Sequence, residues 1–280
     1  MSILAVDIGG TKIMCALVEG GRVIETRRAA TARSGGPEDW LAEAAALCDG
    51  WTGQAALGIA VTGRVDAEGR WSPLNRATLD IPEETPLVAR AEALFGCPAR
   101  AVNDAQAAAW AEHLHGAGQG RDMVFLTVST GIGGGIVCGG RLLGGRGGLA
   151  GHFGQTRAGG SRLEDRAAGR WLSAEAQARG VEGGAEAVFA AAAAGEPWAE
   201  ALREACLDEV ARLCSDIQLM LDPEVIVIGG GIGLSEGFLA GLEARQAALS
   251  PVLRPDLRAA ELGAEAGVIG AAALAEELVR

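Results

Sequence analysis

The sequence predicts an α/β protein built from two related lobes. Short apolar runs broken by glycine alternate with helical stretches, which is the pattern of α/β folds. One strand, glycine turn, strand, turn and strand unit also occurs twice along the chain. The length of 280 residues agrees, giving about two domains at ~150 residues each.

Ile3–Val6 reads as a buried strand, followed by Asp7-Ile8-Gly9-Gly10-Thr11-Lys12, a second apolar run at Ile13–Val18, and a third at Val23-Ile24 after a Gly-Gly-Arg turn. Pro37 opens a helix through about Leu47, and Ala56–Val61 and Ala99–Val102 are further strands. Asn103-Asp104 cap a helix to about His113. The stretch around Gly116–Arg121 breaks the helical pattern and marks a lobe boundary. The opening unit then recurs: Met123–Val128, the glycine turn Ser129–Gly135, Ile136–Cys138, Gly139-Gly140-Arg141, and Leu142-Leu143. Helices follow over Ala185–Ala194 and Trp198–Leu221, then a strand at Glu224–Ile228, a glycine turn at Gly229–Gly233, a helix opening near Ser235, and a last helix over about Val268–Leu278 with Ala and Leu on one face. The lobes predicted are residues 1–117 and 118–265, with a C-terminal helix of about 266–280 packing back on the first.

Composition narrows the function. Hydrophobic residues at 49% and charged residues at 21% exclude a disordered chain. A net charge of -12 argues against a nucleic-acid partner, which favours a basic surface. The six cysteines form no C-x-x-C pair, so neither a zinc ribbon nor a disulfide framework is expected. The first residues lack a basic region and meet Asp7 early, and no apolar run approaches the ~20 residues that span a bilayer. The expectation is a cytoplasmic protein with no membrane partner. The 43 glycines gather in a few turns, which suits close backbone approach to a ligand.

Two of those turns look like phosphate loops. In Asp7–Lys12, small residues let backbone N–H groups approach phosphate oxygens, Thr11 adds a hydroxyl, and Asp7 at a strand end can orient Mg²⁺ through water. An ordinary hairpin turn is the alternative. No G-x-x-x-x-G-K-[ST] is present, which excludes a P-loop. Thr127–Gly135 is the second turn, with Thr130, Gly131 and Gly133 as anion-nest candidates. Gly229–Gly233 lacks the third glycine of a dinucleotide fingerprint, since Glu236 stands there, so Gly230 and Gly231 suit contact with the adenine or ribose. Asn103-Asp104, at a strand end and helix start, is the pair for chemistry; capping accounts for one of the two. The helix N-terminus should favour an ionised Asp104. His113 and His115 do not share a helical face, which predicts a solvated helix end, not a metal site.

On Asp7–Lys12, Asn103-Asp104, Ser129–Gly135 and Gly151-His152, nearly the whole chain resembles the ROK family of repressors, open reading frames and sugar kinases. The resemblance implies a two-domain actin/hexokinase-like fold, a duplicated ribonuclease H-like architecture, that binds ATP with Mg²⁺ and a sugar between the lobes. It implies ATP contacts from Asp7, Gly9, Gly10, Thr11, Lys12, Thr130, Gly131, Gly133, Gly230 and Gly231. Asp104 would be the base that deprotonates the sugar 6-hydroxyl, Asn103 would hold an adjacent hydroxyl, and Gly63, Arg64, Asn75, His152 and Glu164 would line the sugar pocket. The runs Asn103–Glu112 and Gly147–His152 are most similar to bacterial N-acetylmannosamine kinases. Glucokinase or N-acetylglucosamine kinase is the alternative. A sugar-sensing regulator is another, although a first strand at Ile3 leaves no room for a preceding DNA-binding region. The resemblance also implies a homodimer. Two departures stand out: Arg157–Leu163 has no cysteine where most of the family carries a zinc motif, so zinc is not expected, and Leu149 replaces the usual glutamate. An apolar Leu149 could receive an acetamido methyl.

Overall fold

In the structure, a computed structural model that describes residues 2–76, 78–158 and 160–280, the chain alternates strands and helices throughout. In order these are β1 (Ile3–Ile8), β2 (Lys12–Glu19), β3 (Arg22–Ala30), α1 (Pro37–Leu47), β4 (Leu57–Val61), β5 (Arg64–Val65), β6 (Trp71–Ser72), α2 (Leu87–Phe95), β7 (Ala99–Asn103) and α3 (Asp104–His115). Then come β8 (Met123–Val128), β9 (Ile132–Cys138), β10 (Arg141–Leu142), β11 (Arg157–Ala158), β12 (Ser161–Arg162), α4 (Glu164–Ala167), α5 (Gly169–Ala178), α6 (Gly184–Ala193) and α7 (Pro197–Leu221). The chain closes with β13 (Val225–Gly229), α8 (Gly230–Gly233), α9 (Phe238–Gln246), β14 (Leu257–Ala259) and α10 (Ala266–Glu276).

Two sheets carry the duplication. The first runs β3-β2-β1-β4-β7 and the second β10-β9-β8-β13-β14. In each, two antiparallel pairs lead into two parallel ones. The central parallel strands β4 and β13 are buried at every position, which explains their unbroken apolar runs. The hairpins close at matching places: Ile8 pairs with Ile13, and Val128 with Ile132.

Between the sheets lie α3 and α10. Residues Ala105 to His113 of α3 are all buried, against β8 and β9 on one side and α10 on the other. The alanine-rich sequence permits this, because small side chains let backbones approach. A Cβ at Gly270 of α10 would stand 1.8 Å from the Ala107 carbonyl oxygen, so only glycine fits there. The last helix is therefore buried nearly all round, where the sequence pattern predicts a single apolar face. It packs on β1 and β4 as well as on α3.

Other expectations shift. The second glycine turn is shorter than its glycine run, since β9 begins at Ile132 and Gly133 to Gly135 are strand residues. The reason is α3: a Cβ at Gly135 would meet the Ala109 Cβ at 2.5 Å, so the helix lies directly on the bare strand. The helix expected near Ser235 is displaced, because Gly230–Gly233 is itself a helical turn and α9 starts at Phe238. Residues 62–98, without an element in the sequence reading, hold β5, β6 and α2, the last ended by Gly96 at φ 70°. His113 is not solvated: it is buried, stacked on Trp110, with Nδ1 3.0 Å from the Arg121 carbonyl oxygen. His115 is exposed.

Candidate active site

The described residues enclose a cleft of about 600 Å³. Its walls include both hairpin turns, the N-terminal end of α3, residues Pro73, Leu74, Asn75, Thr78, Leu79 and Ile81, and the segment around His152 and Glu164. Of the residues singled out in the sequence, Asp7, Gly9, Gly10, Thr11, Lys12, Gly63, Asn75, Asn103, Asp104, Thr130, Gly131, Gly133, His152 and Glu164 line it. Arg64, Gly230 and Gly231 do not. The Arg64 guanidinium instead donates to the Gly147 carbonyl at 3.2 Å, and Gly230 packs against the end of β8 at Thr127 and Val128.

The turns are built alike. Gly9 N–H donates to Lys12 O at 3.0 Å in the first, and Ser129 N–H to Gly131 O at 2.9 Å in the second. Thr31, at the end of β3, props the first by donating its hydroxyl to Gly9 O at 2.7 Å. A Cβ at Gly131 would point toward Glu164 Oε2, 3.6 Å away, so bare backbone forms this part of the wall.

Asn103 is the helix cap, as its Oδ1 accepts the N–H groups of Ala105 and Gln106 at 3.0 and 3.2 Å. Its Nδ2 donates to Gly63 O at 2.8 Å and to Asp104 Oδ1 at 2.9 Å. Its amide is thereby committed to the protein, which disfavours the expected second duty toward a substrate hydroxyl. Asp104 Oδ1 also accepts the Ala105 N–H at 2.8 Å, while its Oδ2 takes part in no hydrogen bond among the described residues. One oxygen is fixed and the other is left for the cleft.

Burial governs the charges. Asp104 keeps some surface open to the cleft yet is enclosed by protein, and burial pushes its carboxyl up to about 6 against the pull of the Ala105 and Asn103 donors. The helix N-terminus favours the ionised form, as the sequence suggests, but desolvation outweighs those hydrogen bonds and leaves the carboxyl raised. Asp7 is pushed up to about 7, by burial first and then by the negative charge of Asp104, with Lys12 pulling the other way. His152 is pushed down to about 4 by burial. Its Nε2 lies 3.1 Å from Gly148 O, an acceptor only, so Nε2 carries the proton and Nδ1 keeps its lone pair.

Several cleft and support residues escape sequence reading. Gln106 is buried and braces the loop before His152, donating to Ala150 O at 2.7 Å and Gly148 O at 3.4 Å. A lone amide on an alanine-rich helix was the available signal. Arg33, Thr78, Gln155 and Arg170 also line the cleft and carry no motif. Leu149 is 56% exposed and lies outside the cleft lining, so it does not offer the apolar wall imagined for an acetamido methyl.

β11 and β12 form a short hairpin pairing Arg157 with Arg162. Arg162 clasps Asp165 through two bonds of 2.9 and 2.8 Å and reaches Glu164 Oε1 at 3.2 Å. Glu164 Oε1 also accepts from Asn75 Nδ2 at 3.5 Å, across the cleft. Gly159, in the stretch Arg157–Leu163 that the zinc expectation concerned, lies outside the described residues.

Known proteins resemble this chain over nearly its whole length. A sequence profile of the ROK family matches residues 3–278. The chain is 49% identical over 278 residues to the bifunctional enzyme NanE/NanK of Brucella melitensis, covering 98% of itself and 54% of that protein. It thus spans about half the length of the Brucella relatives it matches. It is 41% identical over 288 residues to N-acetylmannosamine kinase of Shigella flexneri, covering 99% of each chain. The ROK hexokinase from Thermus thermophilus superposes with a TM-score of 0.82 at 33% identity, covering 100% of this chain and 99% of that one. The ROK glucokinase from Streptomyces griseus, solved with glucose and AMPPNP, gives 0.83 at 30% identity over 99% of this chain and 100% of that one.

Proposed function

This chain belongs to the ROK family and has its duplicated actin/hexokinase-like α/β fold, and from that premise we propose that it transfers the terminal phosphoryl group of ATP to the 6-hydroxyl of N-acetylmannosamine. The products are N-acetylmannosamine 6-phosphate, ADP and a proton. The observation that carries the chemistry is Asp104, held by Asn103 and Ala105 through Oδ1 with Oδ2 unengaged, in the cleft that both glycine turns line.

Asp104 takes the hydroxyl proton through Oδ2 as the oxygen attacks phosphorus. A carboxyl titrating at about 6 is largely ionised at neutral pH, yet basic enough for the transfer. His152, neutral there, accepts a hydrogen bond from one sugar hydroxyl at Nδ1, and Glu164, tied to Arg162 and Asn75, accepts a hydrogen bond from another.

The cleft fits MgATP as substrate. Bare backbone at Gly9, Gly10 and Gly131 admits phosphate oxygens, and Lys12, Arg33 and Arg170 supply positive charge. Asp7 offers the hard oxygen donor that Mg²⁺ prefers, and the ion would neutralise charge on the phosphates. Gly230 and Gly231, outside the cleft lining, remain proposed contacts to the adenine or ribose from beneath β8. Arg64 is proposed to act by holding the Gly147 carbonyl, and so the loop that ends at His152.

The choice of sugar rests on the N-acetylmannosamine kinase of Shigella flexneri, similar over 99% of both chains. The lobe division at 117 and 118 with the last helix returned to the first lobe, a homodimer, the absence of structural zinc, and a cytoplasmic location where ATP is supplied belong to the same proposal. A coupled assay comparing kcat/KM for N-acetylmannosamine, N-acetylglucosamine and glucose tests it. More efficient turnover of either competitor refutes the substrate, and no ATP-dependent turnover of any of them refutes the kinase.

A further inference from the structure

Arg170 stands between the two glycine turns. Its own backbone is fastened to the second: Gly169 N–H donates to Ser129 O at 2.7 Å and Arg170 N–H to Thr130 O at 3.0 Å. Its side chain crosses to the first lobe and donates from Nη2 to the Thr78 hydroxyl at 3.1 Å. Thr78 in turn rests on the first turn, its Cγ2 2.8 Å from where a Cβ of Gly10 would stand. The guanidinium therefore spans the gap across which a nucleotide's phosphates must lie to touch both turns.

The chemistry of that contact is unequal. Arginine presents five donors in a planar fork suited to a charged, two-oxygen acceptor, and Thr78 offers one neutral oxygen. No other hydrogen bond from the guanidinium is formed among the described residues. Asp165, whose carboxyl feels the Arg170 charge, is already clasped by Arg162 through two bonds. A half-buried cation is thus left with a weak acceptor, in a cleft that also holds Asp7 and Asp104.

We propose that Arg170 is a nucleotide-phosphate ligand, which exchanges the Thr78 hydroxyl for phosphate oxygens when MgATP enters. The exchange replaces a neutral bond with charge-assisted ones, and it moves the inter-lobe tie from Thr78 to the nucleotide itself. The inference rests on the kinase reading and extends it to a residue outside both turns.

Titration calorimetry with MgADP on wild type, Arg170→Gln, Arg170→Lys and Thr78→Val tests it, with N-acetylmannosamine binding and the unfolding midpoint measured on the same samples. Arg170→Gln should weaken MgADP about tenfold or more, the range of a lost charge-assisted bond, while sugar affinity and melting stay near wild type. Arg170→Lys should recover part of the loss, having the charge without the fork. Thr78→Val severs the same inter-lobe bond and should change MgADP affinity less than about threefold, because the phosphate contact survives. If Thr78→Val weakens MgADP as much as Arg170→Gln does, Arg170 is a strut and the proposal fails. Unchanged MgADP binding in Arg170→Gln overturns it equally. Wild-type protein that binds no MgADP would remove the kinase reading itself, and this proposal with it.

Discussion

Glu112 Oε1 accepts the backbone N–H of Leu262 at 2.9 Å, joining two segments 150 residues apart in sequence. The same oxygen accepts the Glu261 N–H at 2.9 Å, and Oε2 accepts the Ala117 N–H at 2.9 Å. These donors lie on the two stretches that connect the sheets, between α3 and β8 and between β14 and α10. A fully buried carboxylate thus pins both connections to the end of α3.

Replacing Glu112 with Gln keeps the shape and one acceptor oxygen but sets an amide N–H₂ against at least one backbone N–H. The expected loss is about 1–3 kcal/mol of unfolding free energy, the usual penalty for an unsatisfied buried donor. Urea denaturation checks this. A midpoint unchanged from wild type would show that the three bonds are dispensable.

Asp104→Asn should keep the fold and lower turnover by at least ~10²-fold, since the amide cannot take a proton. It should also stabilise the protein at alkaline pH. The native carboxyl titrates at about 6 against 3.8 in the unfolded chain, so the native state binds more protons between those values. Stability therefore falls as pH rises through that window, by about 1–3 kcal/mol from this group. The variant escapes this loss. Melting curves at pH 8 should favour it, and at pH 4 the two proteins should differ little.

The acid limb of the kcat/KM profile should bend near pH 6, as Asp104 must be ionised to act. His152, held down to about 4, stays neutral over the working range and adds no second bend above it. Asp7 should titrate lower in Asp104→Asn than in wild type, because a neighbouring negative charge is gone. Carboxyl-resolved NMR titration of the two proteins reads this directly. An unshifted Asp7 would mean that the two carboxyls do not sense each other.

Chelation followed by return of Mg²⁺ should restore full activity, because the clasp of Arg162 on Asp165 ties the β11–β12 hairpin to α4 without a metal. Arg162→Ala should then raise KM for the sugar severalfold with a smaller effect on KM for ATP, through release of Glu164. One tightly bound zinc per chain, lost together with activity, would overturn this.

The longer strands of both sheets, the duplication and part of the cleft lining were legible in the sequence, since each rests on local pattern. Buried parallel strands must be apolar throughout, a turn that admits phosphate must be glycine-rich, and a helix entered from a strand must be capped. Asp7, Gly9, Gly10, Asn103, Asp104, Thr130 and Gly131 sit in such contexts, and all line the cleft.

Only the tertiary structure decided the rest, because it depends on what approaches from elsewhere in the chain. Gly133 to Gly135 look like a turn until α3 is seen lying on them. His113 looks like a solvated helix end until Arg121 and Trp110 enclose it. Arg170 belongs to no motif; its place between the turns comes from the way α5 docks on Ser129 and Thr130. The charge state of Asp104 is of the same kind. Its sequence neighbours donate hydrogen bonds that favour ionisation, and burial by residues from elsewhere in the chain raises its pKa further than they lower it.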